Sequence, residues 1–230
     1  MMRDRSAAAL VAEAIGTFLF FFVGAGSVVL GDYIVGHGGT SPGLLGVALA
    51  HGLALAVLAS AFGAVSGAHF NPAVTLAAWM LGKIQPARAV AYVVAQLFGA
   101  ALAGFALRSV FPLEAWQPSM IGTPALGLGI SLPAGIAVEA ILTALLVFVV
   151  IGTAMDARAP KIGGLAIGLA VAADILVGGP LTGAAMNPAR WFGPAVASGA
   201  FDNWWVWWIG PGIGAAVAAL IYRSTLAEAS

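Results

Sequence analysis

The sequence predicts an all-α membrane protein: six transmembrane helices plus two re-entrant half-helices in an inverted 3+3 repeat. Three observations carry that fold class. Of the 230 residues, 61% are hydrophobic and only 8% charged; six stretches are apolar over a bilayer's thickness; and Asn-Pro-Ala occurs twice inside a gapless internal repeat. An ordinary soluble domain carries about 25% charged residues, whereas here the mean hydropathy is +1.02, which excludes soluble and disordered chains. Nine Lys+Arg balance nine Asp+Glu, so no basic excess exists to hold a nucleic acid, and the lipid bilayer is met through apolar contact. With no cysteine, and three histidines at 37, 51 and 69 lacking zinc spacing, neither a metal nor another cofactor is expected.

A spanning helix needs about 20 apolar residues. Residues 8–30, 43–65, 86–108, 132–154, 162–178 and 204–223 meet that need, giving one transmembrane domain over 1–230 with repeats at approximately 8–108 and 132–223. The first stretch follows Met-Met-Arg-Asp-Arg without a small-residue cleavage site and exceeds a signal-peptide core, so it reads as retained. Six crossings put both termini on one face. Taking that face as cytoplasmic places Arg3, Arg5, Lys83, Arg88, Arg158, Lys161 and Arg223 inside, with Arg108 and Arg190 toward the outside, as the positive-inside bias prefers. Short termini without targeting extensions point to a cell (inner) membrane. Trp204, Trp205, Trp207 and Trp208 crowd the outer end of the last span, where most of them read as an interface belt.

Two connections are too apolar for loops. Residues 66–81 (SGAHFNPAVTLAAWML) and 181–196 (LTGAAMNPARWFGPAV) each run a small-residue stretch into Asn-Pro-Ala and then a short helical pattern. Each reads as extended backbone entering the membrane, then a half-length helix with Pro72 or Pro188 in its first turn, where a missing N–H costs nothing. Residues 49–73 align with 165–189 at a constant offset of 116, with 12 identities in 25. Upstream, Glu13 in AEAIGTF matches Glu139 in VEAILTA at an offset of 126, and the extra ten residues are expected in a connecting loop. Three crossings per half is odd, so the second half lies inverted and its re-entrant segment enters from the opposite face, an arrangement that places a transport site near the midplane.

Two half-helices starting at Asn-Pro-Ala bring two helix N-termini together, each with about half a positive elementary charge, which repels cations and protons. Asn71 and Asn187 cap these helices and point amide N–H groups at whatever occupies the midpoint. The residues before each Asn leave backbone carbonyls unpaired, and those of Gly67, Ala68, His69, Gly183 and Ala185 are expected to line a narrow file, since irregular backbone survives at membrane depth only in protein or along a wet cavity. A lone Asn-Pro-Ala would be a loop turn; two in register within an inverted repeat are not. Glu13 and Glu139, costly in hydrocarbon, are placed symmetrically and read as buried structural acceptors for the re-entrant N–H groups rather than as a proton relay. Gly164 with Gly168, and Gly210 with Gly214, read as close-packing positions.

On these motifs, with AExxGTF at Glu13, SGAHFNPAVT from Ser66, NPAR from Asn187 to Arg190, FGPA from Phe192 and WIGPGIG from Trp208, the chain resembles the major intrinsic protein family, the aquaporins and glycerol facilitators, over nearly its whole length. The resemblance implies an aquaporin-like fold, a passive pore in each subunit for water and small neutral solutes, no enzymatic activity, and a homotetramer. It assigns Asn71, Pro72, Ala73, Asn187, Pro188 and Ala189 to the pore motifs, and counting from the two Asn residues places the outer filter on His51, Ile175, Ala184 and Arg190. It also implies that His69 is a packed histidine whose carbonyl faces the pore. Glycerol facilitators resemble a Trp, Gly, Phe, Arg ring with Asp after NPAR; here Trp191 follows Arg190 and the ring has no aromatic wedge. A glycerol or urea facilitator is the runner-up.

Strict water channels resemble Phe on the second span and His on the fifth. His51 and Ile175, with the ADILVGGPLTGAAMNPA stretch, instead resemble the plant tonoplast-intrinsic-protein-like subgroup, which implies water and, in some members, ammonia, urea or peroxide. A further pore-facing His accompanies ammonia passage in part of that subgroup, and residues 109–131 contain none. Two departures stand out: Asp174, where relatives carry an uncharged residue, either pairs with a neighbouring donor or titrates as a gate; Trp191, at a usually small position, fills a gap beside the filter. A secondary transporter also uses inverted repeats and broken helices, but its only midplane carboxylates would be Glu13, Glu139 and Asp174. An ion channel would face a cation with positive potential throughout, and no nucleophile-base motif supports an intramembrane enzyme.

Overall fold

The computed structural model describes residues 5–226, the side chain of Arg5 excepted; Arg3 and the two chain ends, on which the expected orientation partly rests, lie outside the described residues. Six membrane-length helices are present among them: α1 (Arg5–Gly36), α2 (Gly43–Ser66), α4 (Pro86–Val110), α6 (Leu132–Val150), α7 (Gly163–Thr182) and α9 (Val206–Ile221), with α3 (Pro72–Met80) and α8 (Pro188–Ser198) as the half-helices and a one-turn α5 (Leu113–Trp116) in the central connection. Single π turns, Ile151–Met155 and Tyr222–Leu226, continue α6 and α9.

The packing repeats by halves. α1 lies on α4 as α6 lies on α9, α1 on α2 as α6 on α7, and each half-helix leans on the last helix of the opposite half, α3 on α9 and α8 on α4. α2 and α7 meet at the centre through glycine: a Cβ on Gly52 would lie 2.7 Å from the Gly168 carbonyl oxygen, and one on Gly168 2.2 Å from that of Gly52. Among apolar side chains in lipid, such backbone contact takes the place of hydrophobic drive. Gly164, Gly210 and Gly214 behave likewise, a Cβ on Gly214 meeting the Ala140 carbonyl at 2.2 Å.

The ten residues by which the first half is longer lie in helix rather than loop. α1 continues to Gly36 and α2 starts at Gly43, whereas the α6 π turn ends at Met155 and α7 starts at Gly163. Hydropathy marks where the apolar stretch ends; backbone hydrogen bonding carries the helix on past Asp32 and Tyr33 to Gly36. The tryptophan belt is also smaller than expected. Trp204 and Trp205 are exposed, but Trp207 is 1% exposed and belongs to the core.

Candidate functional site

Each re-entrant segment is built on a buried carboxylate. Glu13, fully buried on α1, accepts from Ser66 Oγ at 2.6 Å, from the backbone N–H of His69 at 3.0 Å and of Phe70 at 2.8 Å, and from Gln96 Nε2 at 2.8 Å. Glu139 on α6 accepts from Thr182 Oγ1 at 2.6 Å and from the N–H groups of Ala185 at 2.9 Å and Met186 at 2.7 Å.

The entering backbone is not extended, contrary to the sequence expectation. Ala68 and Phe70 have φ of 51° and 48°, and Ala184 and Met186 of 45° and 53°, with His69 and Ala185 between them outside the left-handed region. Alternating handedness turns successive N–H groups to one side, a nest for an anion, and the anion here is the glutamate. Each left-handed non-glycine residue costs roughly 1–3 kcal/mol, which the carboxylate's hydrogen bonds offset.

At the centre the two halves are tied to one another. Asn71 Oδ1 caps α3 at the Ala73 N–H (2.8 Å) and Asn187 Oδ1 caps α8 at the Ala189 N–H (2.9 Å). Asn71 Nδ2 donates to the Met186 carbonyl and Asn187 Nδ2 to the Phe70 carbonyl, both at 2.9 Å. Each amide therefore keeps one N–H for a solute, not two. The carbonyls of Phe70 and Met186 are thus taken by the opposite asparagine in each case. Pro72 and Pro188 occupy the first turns, with Ala73 and Ala189 buried beside them.

A cavity of about 240 Å³ reaches from Lys83, Ala154 and Met155 past Asn71 and Asn187 to His51, Ile175 and Arg190; Gly67, Ala68, His69, Ala184 and Ala185 line it. A second cavity, about 510 Å³, starts from the same His51, Ile175 and Arg190 and opens among Gly122, Thr123, Pro124 and Gly183. These three residues thus stand between the two cavities, lining both. Ala184 lines the first cavity, and Gly183 the second.

Arg190 is held from both sides. Its Nε–H donates to His51 Nε2 at 3.0 Å and its Nη1 to the Gly122 carbonyl at 2.8 Å. His51 Nδ1 lies 2.9 Å from the Val47 carbonyl, which accepts from it; the proton is on Nδ1 and Nε2 is free to accept. A guanidinium has five N–H donors, so after these two contacts three remain for whatever passes. His69 is half-buried, its Nδ1 3.1 Å from Thr75 Oγ1 and its ring edge-on to Tyr92.

The sequence did not point to Gly122. It closes a 3-10 turn, Met120–Gly122, in which Met120, Ile121 and Gly122 have φ of 48°, 59° and 69°. A carbonyl leaves no signal in residue type, and only Gly122 itself hinted at the turn. The apolar wall was also unread, although Ile167, Val171 and Ile175 on α7, and Leu146 and Val150 on α6, show its spacing of four. Asp174 is 2% exposed, and its Oδ2 has no hydrogen-bond partner. Trp191 stacks on Trp207 with centroids 5.8 Å apart and planes 6° apart, filling the gap behind α8.

The comparisons with known proteins agree with this architecture. Residues 2–222 match the model of the major intrinsic protein family. Aquaporin TIP4-4 of Zea mays is 45% identical over 217 residues, covering 93% of this chain and 84% of that protein; probable aquaporin TIP3-2 of Arabidopsis thaliana is 48% identical over 224 residues, covering 94% and 82%. The X-ray structure of the aquaglyceroporin from Plasmodium falciparum superposes with a TM-score of 0.84 at 25% identity, covering 96% of this chain and 97% of that one. With six spans, two half-helices meeting at paired asparagines, and relatives of this similarity over almost its full length, the chain is a multi-pass membrane protein that belongs to the major intrinsic protein family, near its plant TIP-type members.

Proposed function

We propose that residues 1–230 form a single channel domain that conducts water passively, and small neutral solutes with it, while excluding protons and ions. The observation that carries this reading is that His51, Ile175 and Arg190 line both cavities and stand between them. A permanently charged guanidinium faces the path with three unused donors, and two half-helix N-termini stand behind it. Cations meet positive potential along this route, and a water's oxygen meets donors. Nothing in this machinery acts as a nucleophile, and we assign it no enzymatic step. His51, Ile175, Ala184 and Arg190 act as the filter; Gly67, Ala68, His69, Gly183 and Ala185 supply acceptors.

Ile175 gives the ring an apolar wall with no hydrogen-bonding demand, so ammonia passes as well as water. Family resemblance supports a homotetramer, and the cation asymmetry supports both termini lying on the cytoplasmic side; we place the protein in a cell membrane. Stopped-flow light scattering on proteoliposomes under an osmotic gradient tests the pore, with ammonia-driven internal pH change recorded on the same vesicles. Water flux of low activation energy, lost in substitutions that block the path at Arg190 or Asn187, establishes the channel. Ammonia flux above empty vesicles that His51→Phe with Ile175→His removes, water flux being spared, supports the filter reading. Water alone passing restricts the channel to water; neither flux rising in a folded protein overturns it in favour of a transporter.

A further inference from the structure

On the face where α3, α6 and α9 end, a pocket of about 550 Å³ is walled by Trp79, Lys83, Met155, Asp156, Arg158 and Arg223. Its one carboxylate is already met: Asp156 accepts from Arg158 Nε at 2.9 Å and Nη2 at 2.6 Å, and from the Tyr222 hydroxyl. Lys83 and Arg223 are exposed and have no ion-pair partner among the described residues. At Trp79, which is 47% exposed, this pocket adjoins a groove of about 320 Å³ between α3 and α4, lined by Leu76, Val90, Val93 and Val94 among apolar neighbours. Trp79 lines both.

A cationic pocket and an apolar groove meeting at an amphipathic indole present the two chemistries of one amphiphile. Tryptophan favours the headgroup level, and basic pockets between membrane helices take anionic head groups. We propose that this crevice binds one anionic glycerophospholipid, its phosphate between Lys83 and Arg223 and an acyl chain in the α3/α4 groove. Lys83 also lines the inner end of the 240 Å³ pore cavity beside Ala154 and Met155, so the bound phosphate draws its ammonium away from the pore mouth and raises water flux. The binding site itself rests on no claim about what permeates.

The test titrates the purified full chain with phosphatidylglycerol and with phosphatidylcholine, reading occupancy by native mass spectrometry. The expected result is preferential phosphatidylglycerol binding that Lys83→Gln with Arg223→Gln weakens about 30-fold, given the worth of two interfacial cations, while phosphatidylcholine binding is unchanged. Val90→Trp, which fills the groove and leaves both charges, weakens phosphatidylglycerol too. Monodispersity of each variant on size exclusion checks its fold. Equal phosphatidylglycerol affinity in the wild type and the double variant overturns the proposal. So does displacement of the lipid by millimolar inorganic phosphate, which marks a headgroup-only anion site. Osmotic flux in vesicles with and without phosphatidylglycerol reads the coupling: Arg223→Gln keeps the basal flux and loses the lipid-dependent increase.

Discussion

The frame around Glu13 and the frame around Glu139 are copies with one substitution of chemistry. Ser66 and Thr182 supply the hydroxyl, His69 with Phe70 and Ala185 with Met186 the paired N–H groups, and Tyr92 and Trp207 each donate to a carbonyl, that of Ser66 at 2.9 Å and that of Thr182 at 3.0 Å. In the first half Gln96 then bridges Glu13 to Thr75 at 2.8 and 3.0 Å. In the second half Trp191 stands for Thr75 at an offset of 116 and Pro211 for Gln96 at an offset of 115, the offset by which Trp207 answers Tyr92, and Trp191 stacks on Trp207. One carboxylate is completed by a polar side chain; the other has the hydroxyl and the two N–H groups, with no side-chain amide beside them. The backbone turn is thus fixed by the glutamate, while the surroundings are free to specialise, and the half that specialised is the one carrying Arg190.

Removing either carboxylate is the most damaging change. Glu13→Ala and Glu139→Ala each orphan two buried backbone N–H groups and a hydroxyl, at about 1–3 kcal/mol per group, which rivals the roughly 5–15 kcal/mol of a whole fold. Neither variant is expected to elute as a monodisperse species on size exclusion. The amide variants separate the halves. In Glu13→Gln the new NH₂ faces the Phe70 N–H but gains an acceptor when Gln96, whose Oε1 has no partner, turns its amide over; in Glu139→Gln no amide stands beside the carboxylate to offer such an acceptor. Glu139→Gln should melt below Glu13→Gln by an amount equivalent to about 1–3 kcal/mol. Equal melting temperatures would break the comparison.

Where the halves are alike they should fail alike. A Cβ on Gly99 meets the Ala14 carbonyl at 2.2 Å, as one on Gly214 meets that of Ala140. Gly99→Ala and Gly214→Ala should each cost about 1–3 kcal/mol by overpacking, with near-equal drops in thermal midpoint. Tyr92→Phe and Trp207→Phe each forfeit one hydrogen bond worth about 1 kcal/mol, but the tryptophan also loses stacking area on Trp191, worth about 0.5–1.5 kcal/mol more. Thermal midpoints of the two single variants measure that difference directly.

This duplication made most of the fold legible. Six apolar spans of 17 residues or more admit no other reading, and two glutamates at matching positions in hydrocarbon need matching partners. Less was legible where the chain's conformation is imposed against residue type. Ala68, Phe70, Ala184 and Met186 sit left-handed with no glycine to announce it, so an extended segment was the natural reading. The use of Phe70 and Met186 carbonyls by the opposite asparagines depends on the two halves meeting, which no local pattern encodes. Gly122 holds Arg190 through a backbone oxygen from a connection without periodicity, and the π turns at Met155 and Leu226 have no sequence sign.

The smallest effect is expected at a tie outside both frames. The hydrogen bonds from Arg158, and then from Tyr222, hold the Asp156 carboxyl well below the usual carboxylate range. A group whose folded pKa is depressed contributes stability that is fully present above its unfolded value, near 3.9 for an aspartate, and that is lost as pH falls through the lower folded value. Between pH 8 and pH 5 the carboxylate is ionised in both states, so its contribution is constant over that window. Asp156→Asn should therefore lower the thermal midpoint slightly and by the same amount at every pH from 8 to 5, the two curves running parallel. Curves that converge toward pH 5 would mean that the tie weakens through protonation well above the usual aspartate range. The bonds from Arg158 and Tyr222 would then not be what sets the charge of Asp156, and the cations lining the adjoining pocket would be facing a neutral group rather than a paired carboxylate.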